Sequence, residues 1–160
     1  MPLNIIVADD DSITLGMVSE ALKGAHHTVR LAEDGRQAMQ LITASRPDVL
    51  LTDWNMPRCN GIELCRWVRA HYSTPYIYIV VATTREATAD AVEALAAGAD
   101  EFLRKPIEPV EVTARIRAAE RVLAIESRHL TILALAKLAE SRDPETGRHL
   151  ERVSRYVRLI

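Results

Sequence analysis

The stretch Val49-Leu50-Leu51-Thr52-Asp53-Trp54-Asn55-Met56-Pro57 decides how this chain is read. Its first four residues run without polar alternation, the pattern of a strand buried on both faces in a parallel sheet. Asp53 then stands at the carboxyl end of that strand. Asn55-Met56-Pro57 and Asn60-Gly61 break the chain before the next helix begins. Earlier in the chain, Asn4-Ile5-Ile6-Val7-Ala8 repeats the pattern and runs directly into Asp9, Asp10 and Asp11. Two buried strands thus deliver carboxylates at the same end.

Outward from these runs, strand and helix signals alternate. Ser12 to Lys23 carries Leu15, Val18 and Leu22 at helical spacing and closes at Gly24. A short strand fits His27 to Leu31, and an Asp34-Gly35 turn leads to a helix with Ala38, Leu41 and Ile42 on one face. Ile62, Cys65 and Val68 give the following helix its inner face. Tyr76 to Ala82 is the most β-prone segment. An Ala-rich helix from about Ala87 to Ala97 ends at Gly98, and Glu101 to Arg104 makes a last strand before Lys105-Pro106. The pattern predicts an α/β fold, a doubly wound five-stranded parallel sheet with a long C-terminal helical extension. Right-handed crossovers leave few strand orders open. In such sheets ligands sit at the carboxyl ends of the strands.

Composition narrows the function classes. The 160 residues are 48% hydrophobic and 26% charged, which excludes disorder as a description of the whole chain. The formal net charge of -2 provides no global field for nucleic acid or an anionic membrane. The expectation is therefore no DNA and no membrane partner. Cys59 and Cys65 form no CxxC motif, and no signal peptide opens the chain, which together predict a cytoplasmic protein. Apolar stretches fall short of the ~20 residues that span a bilayer.

Helix capping accounts for one member of the Asp9-Asp10-Asp11 run, since a carboxylate at a helix start satisfies free amides. It does not account for Asp53, which should share a crevice with Asp9 and Asp10. Crowded carboxylates raise one another's pKa, and a hard divalent cation such as Mg²⁺ relieves that crowding. Thr83 closes the fourth strand and Lys105 the fifth, placing a hydroxyl and an ammonium at the same edge. Such a set can hold a phosphoryl group, with Asp53 as the nucleophile that forms an acyl phosphate.

On these residues the chain resembles the receiver domain of bacterial two-component response regulators, over residues 4 to about 120. The likeness rests on Asp9-Asp10, the run Leu51 to Pro57, Thr83, Ala97-Gly98-Ala99-Asp100 and Lys105-Pro106. It implies a CheY-like, flavodoxin-type strand order 2-1-3-4-5 and a sensor histidine kinase as phosphoryl donor. It also implies Asp53 as phosphoacceptor and Thr83 and Lys105 as phosphate contacts. Mg²⁺ would be held by Asp9, Asp10, Asp53 and the backbone carbonyl of Asn55. Phe102 matches the family's aromatic switch, coupled to Thr83, and the Lys105-Pro106 bond is commonly cis in the family. Thr84 departs from the family's usual small residue, and Asn55 and Arg85 occupy positions that tune phosphoryl lifetime.

Val110 to Asp143 lacks Gly and Pro and reads as one long helix. Val112, Ile116, Ala119, Leu123, Leu130 and Leu133 form an approximate heptad seam broken by Glu126. Two ordinary packed helices are the alternative. The implied partner is a second copy, meeting through this helix and the face of the fourth and fifth helices. Asp143-Pro144-Glu145 starts another helix, which sets Glu145 and His149 one turn apart. Such a pair is either a surface contact or two ligands of one metal.

The segment from Ala134 to Ile160 resembles the opening of an HD-GYP domain, the cyclic di-GMP phosphodiesterase family. There, residues matching Glu145 and His149 belong to a di- or trinuclear centre of Fe or Mn type. No His-Asp or Gly-Tyr-Pro occurs in these 160 residues, so the hydrolytic site is incomplete and the chain itself carries no such activity. The expected division is a receiver at 1–120, a signalling helix at 121–143 and the first helix of an incomplete output domain at 144–160. A stand-alone dimerisation module is the alternative.

Overall fold

Successive side chains of a strand point to opposite faces, and along Asn4–Ala8 (β1) both faces are apolar. The computed structural model describes residues 2–84 and 88–140, the side chains of 88, 89, 139 and 140 excepted. The strands β1, Thr28–Ala32 (β2), Val49–Asp53 (β3), Tyr78–Thr83 (β4) and Glu101–Arg104 (β5) form one sheet in the order β2-β1-β3-β4-β5. Every pairing is parallel. The helices are Ser12–Gly24 (α1), Gly35–Ser45 (α2), Gly61–His71 (α3), Thr88–Ala96 (α4) and Pro109–Glu140 (α5).

Each sheet face has its own core. Ile5, Val7, Leu51, Val80 and Leu103 pack with Leu15, Val18 and Leu22 of α1 and with Val112, Ile116 and Ala119 of α5. Ile6, Ala8, Leu50, Ile79 and Val81 pack on the other side with α2, α3 and α4 through Ala38, Ile42, Cys65, Val68 and Ala94. Each large aliphatic side chain buried in this way contributes about 1.5–3 kcal/mol relative to exposure. The central strands β3 and β4 are buried at every position, which is why they read as unbroken apolar runs.

Two strand boundaries differ from the sequence reading. The strand expected at His27–Leu31 is Thr28–Ala32: the His27 amide closes α1 by donating to Leu22 O at 3.1 Å, and pairing with the β1 side begins where Thr28 N donates to Leu3 O at 2.9 Å. The strand expected from Tyr76 begins at Tyr78. Tyr76 instead turns its hydroxyl to the Asp100 carboxylate, while Arg69 bonds Ile77 O and Gly98 O at 2.8 Å each. The Lys105-Pro106 bond is cis as expected, and so is Thr74-Pro75.

The heptad seam is corrected at its start. Val112, Ile116 and Ala119 are buried against the sheet and are not available to a second chain. A three- to four-residue apolar spacing serves a sheet-packed helix as well as a coiled coil. The chain forms two units, Met1–Leu123 and Ala124–Ile160. In the second, Ile125, Leu130, Ile132, Leu133, Leu135 and Leu138 are exposed. Arg85, Glu145, His149 and the segment 144–160 lie outside the described residues. No helix among the described residues is long and apolar enough to cross a membrane.

Candidate functional site

The strand register assembles the site. Ala8 pairs with Thr52, so Asp9 and Asp53 emerge side by side, one residue beyond that pair. Asp53 pairs with Ala82, and Thr83 pairs with Arg104, which places Thr83 and Lys105 at the same edge. The Lys105 amide donates to Thr83 O at 2.8 Å and ties the ends of β4 and β5 together.

The three aspartates at the first turn divide their work. Asp11 caps α1, its carboxylate accepting from Ile13 N at 3.1 Å and Thr14 N at 3.3 Å. The Thr14 hydroxyl and these amides hold its pKa below the usual value. Asp11 is the cap of α1, and Asp9 Oδ1 accepts from the Asp11 amide at 3.0 Å. Asp9, Asp10 and Asp53 present carboxylate oxygens within 4.8 Å of one another. Asp9 and Asp53 are buried and Asp10 is exposed at the mouth.

Lys105 Nζ bridges the two buried carboxylates, at 2.8 Å from Asp9 Oδ2 and 2.7 Å from Asp53 Oδ1. The other Asp53 oxygen, Oδ2, accepts from Asn55 N at 3.0 Å. Burial raises the Asp53 pKa, the charge of Asp9 adds to it, and Lys105 and the Asn55 amide oppose it. The expected direction is present, but desolvation, rather than crowding, is its main cause. For Lys105, burial pulls downward, yet the hydrogen bonds and charges of Asp53 and Asp9 prevail and raise its pKa.

One ammonium cannot neutralise three carboxylates, and an all-oxygen set at this spacing suits a hard divalent cation. Thr83 is buried at the end of β4, with the exposed Thr84 next to it. Phe102 is half-buried on β5, opposite Val81. Sequence reasoning marked Gly61 only as a breaker. A Cβ at Gly61 would overlap the Asp53 carbonyl and lie 3.2 Å from Trp54 Cα, and the Gly61 amide donates to Trp54 O at 2.9 Å. The start of α3 is thus pressed against the backbone of Asp53, a contact no periodicity announces.

A five-stranded parallel sheet in the order β2-β1-β3-β4-β5, with buried aspartates and a lysine at its carboxyl edge, has the flavodoxin-like architecture of receiver domains. Residues 5–117 match the family described as the response regulator receiver domain, and the chain belongs to that family. It is 40% identical over 121 residues to the response regulator MprA of Mycolicibacterium vanbaalenii, covering 76% of this chain and 52% of that protein. It is 38% identical over 121 residues to the DNA-binding response regulator MtrA of Mycobacterium leprae, with the same shares of 76% and 52%. The chain therefore spans about half the length of these curated relatives. A crystal structure of a response regulator from Chloroflexus aurantiacus superposes with a TM-score of 0.70 at 33% identity, covering 78% of this chain and 99% of that one.

Proposed function

We propose that the chain is a phospho-accepting regulator in which Asp53 takes a phosphoryl group from a sensor histidine kinase. The observation that carries this reading is the Asp53 carboxylate itself. It lies at a strand end with Lys105 on one oxygen, an amide on the other, and Asp9 and Asp10 beside it. Asp9, Asp10, Asp53 and the Asn55 carbonyl are the residues that would hold Mg²⁺. When bound, that ion neutralises the charge that gathers on the transferring phosphoryl oxygens.

The chain's own residues do the rest. An Asp53 oxygen attacks phosphorus, the P–N bond to the kinase imidazole breaks, and the ring leaves with the electron pair and picks up a proton. The product is an acyl phosphate. Lys105 turns from carboxylate to phosphoryl oxygen, and the Thr83 hydroxyl supplies a further donor at the same edge. Thr83 and Phe102 then form the switch that reads the phosphate. Incubation with a radiolabelled phospho-histidine kinase should label the chain in a hydroxylamine-labile form. Label that survives hydroxylamine, or that persists in Asp53→Asn, contradicts the assignment.

Two readings of an output coupled to this receiver are separable by experiment. The resemblance of 134–160 to an HD-GYP opening supports a cyclic di-GMP phosphodiesterase, with Glu145 and His149 in its metal set. The similarity to the DNA-binding response regulator MtrA favours a second reading, a DNA-binding output, and the expectation of no DNA partner is left without support. Assaying the parent protein for cyclic di-GMP hydrolysis, with His149→Ala as the control, separates the two. Hydrolysis that is lost in His149→Ala supports the phosphodiesterase. Intact DNA binding without hydrolysis supports the other.

A further inference from the structure

The loop 54–60 supplies Asn55, and it is held from a side remote from the carboxylates. Trp54, Met56 and Cys59 are each buried in the cluster that contains Ala32 and Ala38, at the end of β2 and the start of α2. Between those two residues lies the Asp34-Gly35 turn. A Cβ at Gly35 would sit 2.7 Å from Cys59 Cβ and 3.0 Å from Cys59 C, with the Cys59 carbonyl oxygen closer still. Only a residue without a side chain lets α2 approach the loop backbone this closely. The neighbouring Asp34 is buried, caps α2 by accepting from Gln37 N at 2.8 Å, and pairs with Arg58 at 3.1 Å. Arg58, the residue that Asp34 pairs with, stands at φ 67 in the left-handed region that non-glycine residues seldom adopt.

We propose that the Asp34-Gly35 turn is a positioning element for the cation pocket. It presses on Cys59 and holds Arg58, and so fixes the loop in which Asn55 faces Asp53. Gly61 fastens the far end of the same loop against Asp53. The loop is thus clamped by two close-packed glycines, one on each side. This inference rests on the reading of the carboxylate cluster as a Mg²⁺ and phosphoryl site. Neither Asp34 nor Gly35 touches that site, so they act through the loop alone.

The test is a Mg²⁺ titration of the whole chain in a Trp67→Phe background, followed by the fluorescence of Trp54, the neighbour of Asp53. Groups that orient metal ligands from outside the first sphere typically cost about tenfold or more in affinity when changed, and Gly35→Ala should weaken Mg²⁺ binding by about that factor. Gly16→Ala, where a Cβ meets nothing within 4 Å, should leave the affinity unchanged. Ile116→Val, in the opposite core, should lower the melting temperature without changing the affinity, which separates positioning from stability. If Gly35→Ala fails to fold, Asp34→Asn decides, because it keeps the cap and loses the charge pair with Arg58. A weaker Mg²⁺ affinity in that variant supports the proposal, and an unchanged one overturns it. A folded Gly35→Ala with wild-type affinity overturns it as well. Failure of the wild type to bind Mg²⁺ at all overturns the reading of the site itself.

Discussion

Asp53 illustrates how a functional carboxylate is kept at the expense of stability. Burial raises its pKa above the unfolded value, so the native state holds the proton more tightly. Its contribution to stability therefore weakens as pH rises from about 4 through the raised folded value. Asp53→Asn removes a charge that burial disfavours, and its melting temperature at pH 7 should exceed the wild type's by about 3 °C. Thermal melts at decreasing pH should show that gap narrowing, since the raised pKa lets the wild-type group take up its proton before an ordinary carboxylate would. Lys105 acts in the opposite sense. Its ammonium occupies the negative field that a cation would use, so Lys105→Met should bind Mg²⁺ more tightly. Phosphorylation by acetyl phosphate should nevertheless slow by about a hundredfold, because a donor to the transferring group is lost. Both quantities come from titration and single-turnover labelling of one variant. At this scale the sequence was informative: Asp9, Asp10, Asp53, Thr83 and Lys105 stand at strand ends that the apolar runs mark. A cap within the Asp9-Asp10-Asp11 run was legible, but not that Asp11 is the capping member, and the close approach of Gly61 was not, because both depend on where a backbone turns rather than on residue type.

Among the elements, α3 shows how local chemistry serves the site. Asn60 and Glu63 form a reciprocal capping box, Glu63 N donating to Asn60 Oδ1 at 2.8 Å and Asn60 N to Glu63 Oε2 at 3.0 Å. That box starts the helix at Gly61, the residue packed against Asp53. Asn60→Ala should cost about 1 kcal/mol, measured by urea denaturation. In α5, Ile116 fills the core between sheet and helix, and Ile116→Ala should cost about 3 kcal/mol in the same assay. The element order and the faces of α1 and α3 were legible because strand and helix periods differ. Strand ends were less so. Tyr76 is a good strand former, drawn away by a hydrogen bond to Asp100 that only the tertiary fold supplies, and the His27 amide is taken by Leu22 O at the end of α1. The seam on α5 misled for a related reason, since a sheet and a partner helix ask for nearly the same apolar spacing.

For the whole molecule, the sheet, both cores and the carboxylate cluster belong to the unit Met1–Leu123. A chain ending at Leu123 should melt cooperatively and accept phosphate at a rate within about twofold of the full chain, as expected for an independent unit. The exposed Ile125, Ile132, Leu135 and Leu138 give the longer chain a surface that water disfavours. Sedimentation should find the full chain associating with concentration and the shorter one monomeric. Whether Asp53 accepts a phosphoryl group in a site completed by a divalent cation is read from intact mass spectrometry after exposure to acetyl phosphate. The wild type should gain the mass of one phosphoryl group, only with Mg²⁺ present, and Asp53→Asn should gain nothing. An unmodified wild type, or an equal gain in Asp53→Asn, would contradict that assignment.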